Sequence, residues 1–152
     1  MAKANSRNLV ALLLLALMAV AVVSITGCVE EQTAAPDQEA PIQIIEDITP
    51  QEALALLKNH RDNPEFAIID VRTPEEFGEG HIENAINIDF YSKTFRDDLD
   101  KLDKDKTYLI YCRTGRRSGL AIPIMKELNY MEVYNMLGGI TRWKAEGLPT
   151  TR

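Results

Sequence analysis

A short apolar run that ends abruptly in a cysteine and a polar loop most constrains how this chain can fold. Residues Thr107–Tyr111 are β-branched, aromatic or leucine, a composition typical of a strand covered on both faces. Residues 113–119 contain no apolar side chain, and residues 120–128 again group apolar side chains on one side, as in a helix. Cys112 is therefore predicted at the carboxyl end of a central strand, where open α/β sheets carry their sites.

The loop after Cys112 carries the groups that favour a reactive sulfur. A thiol is nucleophilic only as the thiolate, which a helix N-terminus and nearby cations favour. The helix predicted after Arg117 points its positive end at the loop, and Arg113, Arg116 and Arg117 add three cations. Gly115 permits the sharp backbone path that such a loop needs. The same backbone N–H groups would bind an incoming anion.

Two charged residues at the end of an earlier apolar run join the candidate site. Asp70 and Arg72 close the run at 66–71, which should lie near the strand at 107–111. A structural ion pair is the favoured interpretation of Asp70, whereas Arg72 is a candidate for anion binding. The anion-binding candidates are Arg72, Arg113, Thr114, Gly115, Arg116, Arg117 and Ser118, with Cys112 as nucleophile and Asp70 in a supporting position.

The other polar side chains are given structural roles. The Ser118 hydroxyl could donate a hydrogen bond to the sulfur or cap the helix after the loop, and we favour the cap. His60, His81 and Cys112 do not have the spacing of a zinc site. We therefore expect neither a metal nor another cofactor.

Strands and helices alternate through the rest of the chain. Strands are predicted at 42–45, 66–71, 85–88, 107–111 and 131–135, and helices at 50–59, 95–102, 120–128 and 140–145, with a further short helix that opens at residues 73–76. Thr49 and Thr73 are each followed by proline and, three residues later, by glutamate, which is the pattern of a capping box with proline at the first helical position. This alternation predicts an α/β domain with a parallel five-stranded sheet and right-handed crossovers.

Three motifs in this chain resemble those of the rhodanese family of sulfurtransferases. Residues 112–117, Cys-Arg-Thr-Gly-Arg-Arg, resemble the active-site loop of its single-domain members. Residues 70–88 resemble its early signature and residues 137–149 its closing signature, so the resemblance covers about 42–149. It implies a three-layer fold with helices on both faces of the sheet. It also implies that Arg117 braces or charges the loop and that His81 belongs to a structural turn.

The resemblance implies sulfur transfer in two steps. Cys112 would attack the outer sulfur of a small anionic donor such as thiosulfate, and a thiol, a protein or cyanide would then take that sulfur from the persulfide. The only other cysteine is Cys28, so Cys112 has no partner for a disulfide, and a persulfide carrier explains an unpaired thiol.

Two other functions remain open. The chain could act mainly as a tethered persulfide carrier, or binding module, for a partner protein. Cell-cycle dual-specificity phosphatases share this fold and use a loop that resembles cysteine, five residues and arginine, which makes a phosphatase or arsenate reductase the third possibility. Here only four residues separate Cys112 from Arg117, and Tyr111 occupies the position of the phosphatase histidine. The shorter loop should suit a sulfur atom better than a phosphate.

Residues 1–27 are predicted to be a signal peptide of the lipoprotein type. Lys3 and Arg7 form a basic start, and residues 9–23 carry no charged side chain but are too few for an ordinary membrane span. Residues 25–28, Ile-Thr-Gly-Cys, resemble a lipobox, which implies cleavage before Cys28 and its lipidation. An uncleaved anchor is the alternative. Either would tether the domain to the extracytoplasmic face of the cell membrane, in the periplasm or at the cell surface.

A disordered acidic linker is predicted at residues 28–41, before a single domain at 42–152. Loss of residues 1–27 would leave 15 basic and 23 acidic residues, a net charge of −8. Such a surface argues against nucleic acid or lipid headgroups as partners, so membrane contact is expected through the lipid anchor only. We expect a monomer.

Overall fold

The computed structural model describes residues 42–152, in which five strands alternate with five helices. The strands are β1 (Ile44–Ile48), β2 (Phe66–Asp70), β3 (Ala85–Asn87), β4 (Thr107–Tyr111) and β5 (Glu132–Met136). The helices are α1 (Pro50–Asn59), α2 (Pro74–Gly78), α3 (Phe95–Asp100), α4 (Arg116–Glu127) and α5 (Gly139–Ala145). None of these helices is both long and apolar enough to cross a membrane.

The five strands form one parallel sheet in the order β1-β5-β4-β2-β3. The cysteine-bearing strand β4 is central: Ile110 pairs with Ile69 of β2 on one side and with Asn135 of β5 on the other. The predicted α/β fold with a parallel five-stranded sheet is confirmed.

Side chains of β4 alternate between two apolar clusters, one on each face of the sheet. Tyr108 and Ile110 pack with residues of α3 and α4, whereas Leu109 and Tyr111 pack with residues of α1 and α5. All four side chains are at most 2% exposed. The strand reads as continuously apolar because helices cover both of its faces.

Both predicted capping boxes are present. The Thr49 side chain accepts the Glu52 N–H at 3.3 Å while the Glu52 carboxylate accepts the Thr49 N–H at 2.7 Å. Thr73 and Glu76 make the same exchange at the start of α2. These local signals fix where the chain leaves a strand and begins a helix.

Several element boundaries differ from the prediction, most of them by one or two residues, and β1 and α4 differ most. β1 starts at Ile44 rather than at residue 42, and Ile42 is 85% exposed. α4 begins at Arg116, inside the polar loop, rather than beyond Arg117. The reason is that Gly115 adopts a left-handed conformation (φ 92°) and closes the loop early, so that polar residues form the first helical turn. Polarity alone had suggested a loop at these positions.

The predicted signal peptide, the lipidation of Cys28 and the acidic linker at 28–41 lie outside the described residues. They stay predictions from sequence.

Substitution of Leu109 by alanine should destabilise the fold strongly. Its side chain is fully buried in the cluster beneath α1 and α5, and such truncations cost about 2–5 kcal/mol of the free energy of unfolding. The matched control is Leu120→Ala, because Leu120 is 50% exposed on α4. Urea unfolding of both variants measures the difference. Equal losses for the two variants would contradict the central position of β4.

Candidate active site

The sulfur of Cys112 lies at the carboxyl end of β4, where the loop turns back over it. The residue is 1% exposed, and its Sγ accepts a hydrogen bond from the Gly115 N–H at 3.1 Å. The Ser118 hydroxyl lies 3.8 Å from the same sulfur. Although Cys112 is buried, polar donors therefore face its sulfur.

The first turn of α4 points additional N–H groups toward this end of the loop. Gly115 is the N-cap, and no side chain caps the helix there. The N–H groups of Arg116, Arg117 and Ser118 belong to a first turn in which intrahelical acceptors do not exist. With the positive end of the helix dipole, they form an anion cradle, the name used below for the N–H groups of residues 113–118.

The start of α5 holds the loop from the opposite side. The Cys112 carbonyl accepts the Ile140 N–H at 2.9 Å, and the Arg113 carbonyl accepts the Thr141 N–H at 3.0 Å. In a trans peptide the C=O and N–H groups point in opposite directions, so these bonds turn the following N–H groups away from α5 and toward the cradle. α5 thereby orients the amides of the loop.

Close approach of α5 to the loop requires Gly139. A Cβ at this position would collide with the Cys112 carbonyl oxygen, and its φ of 55° is in the left-handed region. The sequence analysis placed the Gly138-Gly139 pair in the closing motif without assigning it to the site. The two consecutive glycines after a predicted strand were the only sequence signal for this role of Gly139. The contact itself could not be predicted, because Gly139 and Cys112 are far apart in the chain.

The Arg117 side chain is largely buried and forms an ion pair with Glu76. Its two terminal nitrogens donate to the two carboxylate oxygens of Glu76 at 2.6 and 2.8 Å, and its guanidinium lies 5.5 Å from the centre of the Tyr91 ring. These hydrogen bonds from Arg117 lower the pKa of Glu76 to about 2, against the opposing effect of burial. Arg117 thus braces the loop against α2, in line with the bracing role that was expected.

Asp70 and Arg72 form a buried ion pair, 0% and 3% exposed, with the Arg72 Nη2 2.6 Å from the Asp70 carboxylate. Arg72 also donates to the Glu76 carbonyl at 2.7 Å and to the Gly80 carbonyl at 2.9 Å. The ion pair expected for Asp70 is present. The expectation that Arg72 binds the anion is not supported by its position, because its guanidinium is buried and bonded to protein acceptors.

Ser118 occupies a different position from the expected cap. It is the third residue of α4, and its hydroxyl lies 3.2 Å from the Gly115 carbonyl as well as 3.8 Å from the Cys112 sulfur. Because Gly115 is already the N-cap, the Ser118 hydroxyl lies inside the first turn, where it faces the sulfur.

An open cleft of about 350 Å³ lies in front of the loop. Arg113, Thr114 and Arg116 are exposed there, and the exposed ring of Tyr91 borders the same cleft. In the described residues neither Arg113 nor Arg116 forms an ion pair. Their two positive charges are therefore available to an anion that enters the cleft.

His81 follows α2 in the chain and packs against it. Its ring stacks on Phe77 with centroids 3.7 Å apart, and its Nδ1 lies 3.1 Å from the Phe77 carbonyl oxygen. Across residues 42–152, no group of three or more His, Cys, Asp or Glu side chains is arranged to hold a metal ion.

Comparison with known proteins gives a consistent result. Residues 49–146 match the family described as Rhodanese-like domain. A sulfurtransferase of Allochromatium vinosum is 34% identical over 88 residues, which are 58% of this chain and 80% of that protein. The thiosulfate sulfurtransferase PspE of Escherichia coli is 40% identical over 70 residues, which are 46% of this chain and 67% of PspE.

A solved structure agrees with the sequence matches. The crystal structure of a rhodanese-related protein from Thermoplasma volcanium superposes with a TM-score of 0.58 at 31% identity, over 70% of this chain and 97% of that one.

Removal of the Glu76 charge should destabilise the protein at neutral pH and much less in acid. A carboxylate whose pKa falls from 4.5 to about 2 on folding contributes stability that is complete above about pH 5 and is lost as the pH falls through about 2. After a discount for its partial exposure, Glu76→Gln should cost about 1–2 kcal/mol at pH 7.

Urea unfolding at pH 7, 5 and 3 measures this difference. The control is Glu79→Gln, since Glu79 is exposed and forms no ion pair within residues 42–152. A Glu76→Gln deficit that stays constant between pH 7 and pH 3 would disprove the assigned ion pair.

Proposed function

The chain belongs to the rhodanese-like domain family, and we propose that it is a sulfurtransferase that moves a sulfane sulfur from an anionic donor such as thiosulfate to a thiol. The observation that carries the proposal is the Cys112 sulfur, which accepts the Gly115 N–H at 3.1 Å and faces the anion cradle. A persulfide formed there would have its terminal, negatively charged sulfur beside backbone N–H donors.

In the first step the Cys112 thiolate attacks the outer sulfur of thiosulfate. A bond forms between the Cys112 Sγ and the outer sulfur. The bond between the outer sulfur and the sulfonate sulfur breaks, and sulfite leaves with the electron pair of that bond. The thiolate becomes a persulfide anion of the same charge, and the thiosulfate dianion leaves as the sulfite dianion, so no proton needs to move. A general base is therefore unnecessary once the cysteine is ionised, and preorganised N–H groups supply the electrostatic stabilisation.

In the second step an acceptor anion removes the outer sulfur. A thiolate attacks that sulfur, the sulfur–sulfur bond to Cys112 breaks, and the Cys112 thiolate is regenerated while the acceptor becomes a persulfide. Cyanide reacts in the same way and leaves as thiocyanate. The cradle stabilises a negative sulfur before and after each step.

Arg113 and Arg116 would attract the anionic donor to the cleft. Both are exposed at its border, whereas the charge of Arg117 is neutralised by Glu76. The overall negative charge of the chain makes this local positive potential the main electrostatic guide for a small anion.

Phosphatase chemistry is less well supported by the geometry. Arg117, the arginine that ends the loop, donates hydrogen bonds from both terminal nitrogens to the Glu76 carboxylate and so does not extend into the cradle. A tetrahedral dianion would lack that cation, and the six-residue loop is one residue shorter than the phosphatase pattern.

We also propose that the chain is a lipoprotein anchored through Cys28 on the extracytoplasmic face of the cell membrane. Its support is the basic start, the short apolar segment and the Ile-Thr-Gly-Cys sequence. Labelling of cells with a radioactive fatty acid should mark the wild-type protein and not the Cys28→Ser variant. Equal labelling of both would refute lipidation at this residue.

Replacement of Cys112 by serine should abolish sulfur transfer without loss of the fold. Incubation with thiosulfate should add the mass of one sulfur atom to the wild type, and cyanide or a thiol should remove it. Thiocyanate formation and intact-protein mass measure the two steps. The control is Lys101→Gln, a change at the exposed residue that follows α3, which should retain full activity. Sulfur loading of Cys112→Ser at the wild-type rate would exclude the mechanism.

A further inference from the structure

A second cavity of about 450 Å³ lies at the other end of the sheet. Its apolar lining includes Leu54, Leu57, Phe66, Ile68, Ile82 and Trp143, and this space is called the basal cavity below. Its volume is within the range of small-molecule binding sites. The lining side chains belong to the cluster beneath α1 and α5, so the basal cavity is an opening in that cluster.

The basal cavity is separate from the cleft in front of the loop. Phe66, at the start of β2, pairs with Thr107, at the start of β4, whereas Cys112 follows the last residue of β4. Ile68 also lines the basal cavity and pairs with Leu109, so at about 3.3 Å per residue the lining on β2 is level with points roughly 10 to 17 Å before Cys112 along the strand. The residues that line the two spaces do not overlap.

The rim of the basal cavity carries two cationic side chains and one acidic side chain. Lys58 and Arg61 are exposed at the end of α1, and Glu83 is the acidic residue among the lining side chains. Within residues 42–152 neither Lys58 nor Arg61 forms an ion pair. In a chain with a net charge of −6, two unpaired cations over an apolar floor create a local preference for anions.

The walls of the basal cavity are held in place by other contacts. The His60 and Phe66 rings stack with centroids 5.0 Å apart. The C-terminal segment closes another wall, because Thr151 and His81 exchange two backbone hydrogen bonds of 2.9 Å, and the Trp143 indole N–H donates to the Pro149 carbonyl at 2.8 Å. The indole N–H is thus already satisfied, and Trp143, which is 1% exposed, forms a buried part of this wall.

We propose that the basal cavity binds a small anionic amphiphile, an aryl or short acyl group that carries one carboxylate or sulfonate. The apolar body lies on Leu54, Leu57 and Phe66, which are partly exposed, and the anionic group meets Lys58 and Arg61 at the rim. Burial of the body supplies the affinity, and the two cations select the sign of the charge. Binding here does not require the sulfur-transfer chemistry.

Trp143 provides the readout, because it is the only tryptophan of the chain. The probe is 8-anilino-1-naphthalenesulfonate, an aryl sulfonate that absorbs tryptophan emission and fluoresces in apolar sites. Titration of the folded wild type should quench Trp143 saturably with a stoichiometry of one. Octanoate should displace the probe at a concentration at least about tenfold lower than neutral octanol.

Matched variants locate the site. The Lys58→Gln/Arg61→Gln pair should weaken probe binding about five- to tenfold, since charges at an exposed rim contribute only modestly to affinity. Arg113→Gln/Arg116→Gln, which alters the other cleft, should leave it unchanged.

Three results would overturn the proposal. They are the absence of saturable quenching in the wild type, equal displacement by octanoate and octanol, and equal weakening by both pairs of substitutions.

Discussion

The N-termini of two helices meet at the loop after Cys112. The rest of the site depends on which backbone groups of the loop each helix contacts. α5 takes the carbonyls of Cys112 and Arg113, while the first turn of α4 directs its own N–H groups to the side of the sulfur. Because each peptide unit is planar, fixing the carbonyls also fixes the amides. The orientation of the cradle is thus set by main-chain bonds and does not rely on flexible side chains.

Charged side chains around this loop are arranged to brace it and to leave the cleft cationic. Glu76 receives Arg117 through its carboxylate and Arg72 through its carbonyl, so one residue of α2 connects the loop to the buried Asp70–Arg72 pair. Buried ion pairs of this kind contribute little net stability but are costly to break, which suits a role in positioning. Arg113 and Arg116 are left to face the solvent side.

The fold could be predicted from sequence because its signals are local. The continuous apolar run at 107–111 marked the central strand, and the Thr-Pro-x-Glu sequences at Thr49 and Thr73 marked helix starts that the structure confirms. Cys112 at the end of that strand could be placed for the same reason.

The parts of the site that depend on distant contacts could not be predicted. Arg72 looked available for an anion because its bonds to the Glu76 and Gly80 carbonyls arise only from folding. The role of Gly139 depends on its approach to residue 112 across the sheet edge, and the start of α4 depends on the left-handed conformation of Gly115. The polarity and spacing of residues along a sequence predict neither individual tertiary contacts nor the backbone angle of one residue.

A crystal structure of the protein after reaction with thiosulfate tests the central claim most directly. The claim predicts a second sulfur atom bonded to the Cys112 Sγ, with that outer sulfur within about 4 Å of at least two N–H groups of residues 113–118. An outer sulfur that points away from these N–H groups, or an unmodified Cys112 beside a bound thiosulfate, would contradict it.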